Sequence, residues 1–152
     1  MDKARKHLST SAWGALLQVH AAVVPVLDQQ LQSAVGLPLR WYDVLLELAA
    51  APERRLRMTD LADRVVLSRT RVSRLVEEMA TAGLLTREAN PEDARSAFAA
   101  LTKEGLRRYR EAAPIYVAGI HEHFAQVMDD GELTAMAESL HRVLDRHRPA
   151  GA

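Results

Sequence analysis

Advancing 100° per residue from Val72 places Leu75, Val76 and Met79 on one apolar stripe, while Thr70, Arg74 and Glu77 point away and Arg71 and Ser73 flank them. The pattern predicts a helix with one packing face and one polar, cationic face. Gly83 follows it and suits a left-handed C-terminal cap. A shorter helix begins near Met58, so residues 58–83 read as helix, tight turn, helix. Beyond Gly83, residues 84–88 and 96–101 read as two short strands around a polar turn at residues 89–95.

The flanks repeat the helical period. Trp13, Leu16, Leu17, His20, Val24, Leu27 and Leu31 recur at that spacing until Gly36-Leu37-Pro38 stops the helix, with Pro25 as a kink. Residues 39–48 form a second helix closed near Ala51-Pro52, with Val44, Leu45 and Leu48 as core candidates. Residues 53–57 then approach the motif, with one short strand expected to pair with the hairpin and arginines read as solvated loop charges or, alternatively, as phosphate contacts. After the hairpin, Thr102 caps a long helix carrying Tyr109, Ala113, Tyr116, Ile120, Phe124 and Val127, bent near Pro114. Asp129 and Glu132 form a capping-box-like pair ahead of a last helix striped by Leu133, Met136, Leu140, Val143 and Leu144.

The second helix of the central motif opens with Arg69, Arg71 and Arg74 and no acid among them. A major groove admits a helix whose N-terminal residues reach base edges, and its phosphate walls attract arginine. Three arginines on a helix are also compatible with a merely solvated face. The hairpin shifts the balance toward DNA, because a hairpin directly after such a helix is a wing. Its tip offers Arg95, a cation on an extended ribbon suited to the negative potential of a minor groove.

In the order and spacing of Leu61-Ala62, Ser73-Arg74-Leu75-Val76, Gly83-Leu84-Leu85-Thr86-Arg87, Asn90-Pro91-Glu92-Asp93-Ala94-Arg95 and Leu101-Thr102-Lys103-Glu104-Gly105, the chain resembles the multiple antibiotic resistance regulator (MarR) family of winged-helix transcription regulators. The resemblance spans residues 36–110 and continues as plain helical pattern on both sides. It implies that Asp93 braces the wing and delivers Arg95 to the minor groove. It also implies an intertwined dimer of first and last helices, and a cleft between those helices and the winged domain that takes phenolic or other aromatic compounds. Two departures stand out: Ala94 occupies a position where the family often has arginine, and the second wing strand is alanine-rich. Alanine is a poor strand former, so a wing loosely ordered without DNA is expected.

Composition narrows the classes. The 152 residues, 48% hydrophobic, fit one small regulator, and no unbroken run approaches the ~20 apolar residues of a membrane span. With no secretory leader pattern and no cysteine, a cytoplasmic protein without thiol chemistry is expected. Twenty basic and twenty acidic residues cancel, yet residues 67–76 carry +3, so the positive field is local. A modest electrostatic term favours binding by specific contacts from two copies. The seven glycines leave no phosphate-cradling loop, there is no G-x-S-x-G elbow, and no catalytic constellation is visible. His121 and His123 lie two apart on a helix and diverge, and His141 and His147 are far apart in phase, so no local metal chelate exists.

These readings converge on a mainly α protein: a winged helix-turn-helix with a small β-hairpin wing and N- and C-terminal dimerisation helices. Residues 1–35 form the N-terminal dimerisation helix, 36–101 the DNA-binding domain and 102–152 the C-terminal dimerisation helices. The expected function is a ligand-responsive repressor that binds a pseudo-palindromic site in double-stranded DNA as a homodimer, without cofactor, metal, membrane or catalysis. Ser68, Arg69, Thr70, Arg71, Ser73 and Arg74 are the candidate DNA contacts of the helix, and Arg87, Asp93 and Arg95 those of the wing. Trp13, His20, Trp41, Tyr42 and Tyr116 are the candidate contacts for a small aromatic effector, although aromatics at helical spacing equally serve a core. The alternatives are a zinc-responsive regulator assembled from distant histidines, or a dimeric interaction module that no longer binds DNA.

Overall fold

The computed structural model describes residues 2–65, 69–93 and 95–147. The chain runs through α1 (Lys3–Val35), α2 (Leu39–Ala50), β1 (Arg55–Arg57), α3 (Met58–Arg64), α4 (Arg69–Thr81), β2 (Leu85–Ala89), β3 (Ala97–Leu101), α5 (Lys103–His123) and α6 (Asp130–His147). A mainly helical chain thus carries one small sheet, and the winged helix-turn-helix expected from the pattern is what forms.

Local chemistry sets most element ends. Gly36 takes φ 63° and donates its N–H to the Gln32 carbonyl, closing α1. Asp28 reaches from α1 to accept the Leu39 N–H at 2.8 Å, supplying the cap that Pro38 cannot give α2. The Thr102 hydroxyl caps α5 by accepting the Gly105 N–H at 2.9 Å. Asp129 and Glu132 bond reciprocally, each carboxylate accepting the other's backbone N–H at 2.9–3.0 Å, so the capping box is complete. Both α1 and α5 continue through their internal prolines, Pro25 and Pro114.

One core joins α1, α2, α4 and the sheet. Val44, Leu45 and Leu48 of α2 are fully buried, as are Val72, Val76 and Met79 of α4, with Leu75 nearly so. Only the C-terminal half of α1 enters this core, through Leu27 and Leu31, where α1 lies along α5. Arg108 of α5 donates to the Val35 carbonyl and ties the two helices at that end.

The sheet order is β1-β3-β2, all antiparallel, with Arg55 opposite Ala100 and Leu85 opposite Leu101. The alanine-rich strand is therefore central and is paired along both edges. At the base of the wing the Thr102 hydroxyl meets the carbonyls of Gly83 (2.8 Å) and Leu84 (3.0 Å), and its N–H donates to the Leu84 carbonyl at 3.1 Å. Gly105 packs so closely here that a Cβ would overlap the Leu84 carbonyl oxygen. The end of α4, both wing strands and the start of α5 are joined at this point.

Two expectations change. α5 ends at His123 rather than running to Val127; Phe124 caps it, residues 125–127 make one 3₁₀ turn, and Val127 is 82% exposed. The backbone leaves the helical region at Phe124 (φ −133°, ψ −53°) and is extended at Met128, ahead of the α6 capping box. In α1, an 18-residue window reaches a mean hydropathy of 1.4, so by length and composition this helix is apolar enough to cross a membrane. Gln18 and His20 interrupt it, which is why no unbroken apolar run appears in the sequence. Its N-terminal half leaves Leu8, Trp13, Leu16 and Leu17 exposed, and α6 likewise leaves Leu140, Val143 and Leu144 exposed, with no residue of α6 buried in the chain.

Candidate nucleic-acid interface

Burial of Val72, Leu75, Val76 and Met79 fixes the roll of α4 about its axis. Thr70, Arg71 and Arg74 are consequently exposed on the far side and Ser73 is half-buried between the two faces. No acid lies in the first turn of α4, so the formal charge there adds to the positive end of the helix dipole. Arg69 begins the helix and is described by its backbone; Ser68 lies outside the described residues, as does Ala94 of the wing.

The wing tip is built from side chain to backbone bonds. Asn90, 5% exposed, donates from Nδ2 to the Ser96 hydroxyl at 2.7 Å and accepts the Glu92 N–H on Oδ1 at 3.0 Å. Asp93 accepts the Arg95 N–H on Oδ1 at 3.0 Å, and its carbonyl accepts the Ser96 N–H at 3.0 Å. Successive Asx turns of this kind favour one tip conformation in a segment without regular structure. Arg95 leaves that tip exposed, and with Arg87, Met58, Thr59 and Ser96 it lines a groove of about 210 Å³ between the wing and the start of α3. Asn90 is absent from the candidate set drawn from the sequence, though an Asn two residues before Glu92 in a polar turn carried the signal.

Two arginines stand on either flank of α4, each beside a glutamate of its second half. Arg87 of β2 lies 3.6 Å from Glu77, and Arg40 of α2 lies 3.9 Å from Glu78. On the Arg40 flank a cleft of about 320 Å³ is lined by Arg40, Arg71, Arg74, Leu75 and Glu78.

The candidate effector residues divide into two groups. Tyr42 of α2 is buried, stacks with Tyr109 (ring centroids 5.8 Å apart) and meets Tyr116 at a tilt (4.7 Å), both of α5. Trp41 is half-buried, and its indole N–H has no hydrogen-bond partner among the described residues. Burial pushes the Tyr42 phenol up to about 12 and raises that of Tyr116. Beside them, burial and then the nearby Glu47 carboxylate push Asp43 up to about 6. Asp43 also lines a cleft of about 400 Å³ between α1 and α2, with Val24, Pro25, Asp28, Leu39 and Arg40. His20 lies one helical turn before Val24 and is exposed; Trp13 is farther along α1 and 61% exposed, so neither joins the tyrosine cluster within one chain. Among the described residues no group of three or more His, Cys, Asp or Glu side chains is placed to hold a metal ion.

Comparison with known proteins bears on this geometry. A family model described as MarR family matches residues 35–96. AbsC, a MarR family transcriptional regulator from Streptomyces coelicolor, is 32% identical with a TM-score of 0.83, the match covering 91% of this chain and 93% of that one. Sco3205, a MarR family transcriptional regulator from the same organism solved in complex with DNA, is 31% identical with a TM-score of 0.86, covering 100% and 94%. CouR from Rhodococcus jostii RHA1, solved bound to p-coumaroyl-CoA, is 25% identical with a TM-score of 0.76, covering 90% and 93%. No curated protein matches the chain.

Proposed function

Since the chain belongs to the MarR family of transcriptional regulators, we propose that it is a cytoplasmic repressor that binds a pseudo-palindromic duplex site as a homodimer and releases it when a small aromatic ligand binds. The observation that carries DNA binding is α4 itself: a helix with one face sealed in the core and Thr70, Arg71 and Arg74 exposed on the other, beside a wing presenting Arg95. Ser68, Arg69, Thr70, Arg71, Ser73 and Arg74 contact DNA in the major groove; Arg87, Asp93 and Arg95 serve the wing's contact with the neighbouring minor groove. The DNA-bound relative Sco3205 supports this reading.

Dimerisation in this proposal uses residues 1–35 and 102–152, supported by the apolar side chains that α1 and α6 leave uncovered. Two-fold symmetry then presents two α4 helices to half-sites about one turn of duplex apart, ~34 Å. The effector is assigned to the junction of α1, α2 and α5, supported by the cleft beside Asp43 and the Trp41, Tyr42 and Tyr116 rings, and by the ligand-bound relative CouR. Trp13 and His20 belong to this site only if a second copy or a ligand-bound arrangement brings them to it.

The test is a titration of the intact protein on the DNA flanking its own coding region, with and without a small aromatic library. Linkage requires that any ligand lowering DNA affinity be weakened by DNA to the same factor, typically 5- to 150-fold or about 1–3 kcal/mol. Equal ligand affinity for free and DNA-bound protein would remove the effector role, and failure to retard any flanking duplex would favour an interaction module that no longer binds DNA.

A further inference from the structure

Glu77 and Glu78 are consecutive, so on a helix they diverge by about 100°. On α4 this turns them toward different neighbours, and each meets an arginine from another element: Arg87 on the wing side, Arg40 on the α2 side. Arg40 is 64% exposed, and its 3.9 Å separation from Glu78 is long for an ion pair that is open to water, so the pairing is weak and exchangeable. Around it, three guanidinium-bearing residues and a single carboxylate line one cleft of about 320 Å³ with an apolar floor at Leu75. Such a cleft suits an anion, and the anion nearest to an inserted α4 is the sugar-phosphate backbone at the groove wall.

We infer that Arg40 is a phosphate-binding residue of the DNA interface, gripping the backbone on the flank of α4 opposite the wing, with Glu78 holding its guanidinium in place until a phosphodiester replaces the carboxylate. The helix is then bracketed, Arg40 on one groove wall and Arg87 on the other. A guanidinium suits the task because it presents paired N–H groups to two phosphate oxygens at once. The inference rests on the DNA-binding reading, and its test separates the two.

The experiment measures binding of the full-length protein, by fluorescence anisotropy across a salt series, to a duplex enriched by in vitro selection with wild-type protein and to a scrambled duplex of equal length. Arg40→Ala is expected to weaken both complexes by a similar factor and to make the slope of log K against log salt shallower by about 0.9 per bound copy. Arg40→Lys, which keeps the charge, should retain most of the slope. Arg74→Ala serves as the reference for base reading and should hurt the selected duplex more than the scrambled one. An unchanged slope in Arg40→Ala, or a loss confined to the selected duplex, overturns the assignment of Arg40 while leaving DNA binding intact. Absence of binding to either duplex by the wild type overturns both.

Discussion

The Asp93 carboxylate accepts the backbone N–H of Arg95 at 3.0 Å, so the acid at the wing tip acts on the backbone that carries the arginine. A carboxylate near phosphate would ordinarily repel. Here its removal should instead loosen the tip, so Asp93→Ala is expected to weaken DNA binding in the same direction as Arg95→Ala. Parallel binding isotherms decide the matter, because tighter binding by the Asp93 variant would mean simple charge repulsion.

Asn90 is the buried polar side chain beneath that tip, and replacing it removes the acceptor of the Glu92 N–H and the donor to the Ser96 hydroxyl, which keeps its bond to the Asp93 carbonyl. Asn90→Ala should cost about 1–2 kcal/mol of stability, or increase protease cleavage within the wing if the loss stays local. Urea unfolding with limited proteolysis reads both.

Arg74 projects from the centre of the exposed face of α4 and is expected to reach base edges. Arg74→Ala should lose about 1–3 kcal/mol of binding and relax preference at one position in each half-site. Selection from a randomised duplex library by wild type and variant compares the preferences directly; identical motifs would count against base reading by this residue.

Asp43 titrates from about 6 in the folded chain against 3.8 for an unperturbed aspartate, because its burial disfavours the charged form. The folded state therefore holds the proton more tightly than the unfolded state, and stability falls as pH rises between those two values. Asp43→Asn should flatten this dependence and stabilise the protein near neutral pH, by about 1 kcal/mol once solvent access to the group is allowed for. Thermal denaturation of both proteins from pH 4 to 7 is the measurement, and a wild-type curve rising through this window would contradict the raised value.

The apolar stripe of α6 lies open in one chain, with Val143 and Leu144 more than half exposed. If it is covered by a second copy, Val143→Glu with Leu144→Glu should shift the protein to monomer at micromolar concentration and lower DNA affinity. Sedimentation velocity gives the answer: a wild-type monomer, or a variant dimer as tight as wild type, would oppose the assignment.

The helices whose apolar stripes are complete within one chain were legible from periodicity alone: α2 through Val44, Leu45 and Leu48, and α4 through Val72, Val76 and Met79. Turn chemistry marked the ends at Gly36, Gly83, Thr102 and Asp129. The end of α5 was hidden because neither Gly nor Pro stands at Phe124 to mark it. The strand at β3 was legible despite its alanines, but its central place in the sheet, paired on both edges, was not. At the interface, the outward phase of Arg74 follows from a 3.6-residue repeat, whereas the meeting of Arg40 with Glu78 joins residues 38 positions apart and depends on how α2 packs against the motif.

The joint at Gly105 sets how motion reaches the reading face. Because Leu84 presses on Gly105 and Thr102 holds both Gly83 and Leu84, the tail of α4 has no slack against the base of α5, and the two turn as one lever. The 21 residues of α5 span about 30 Å, so a tilt of about 5° moves one end against the other by roughly 3 Å. That displacement is close to the ~3.4 Å step between successive bases on a strand. If α4 reads bases as proposed, a few degrees of pivot at the distant end of the arm would therefore be enough to put it out of step with them.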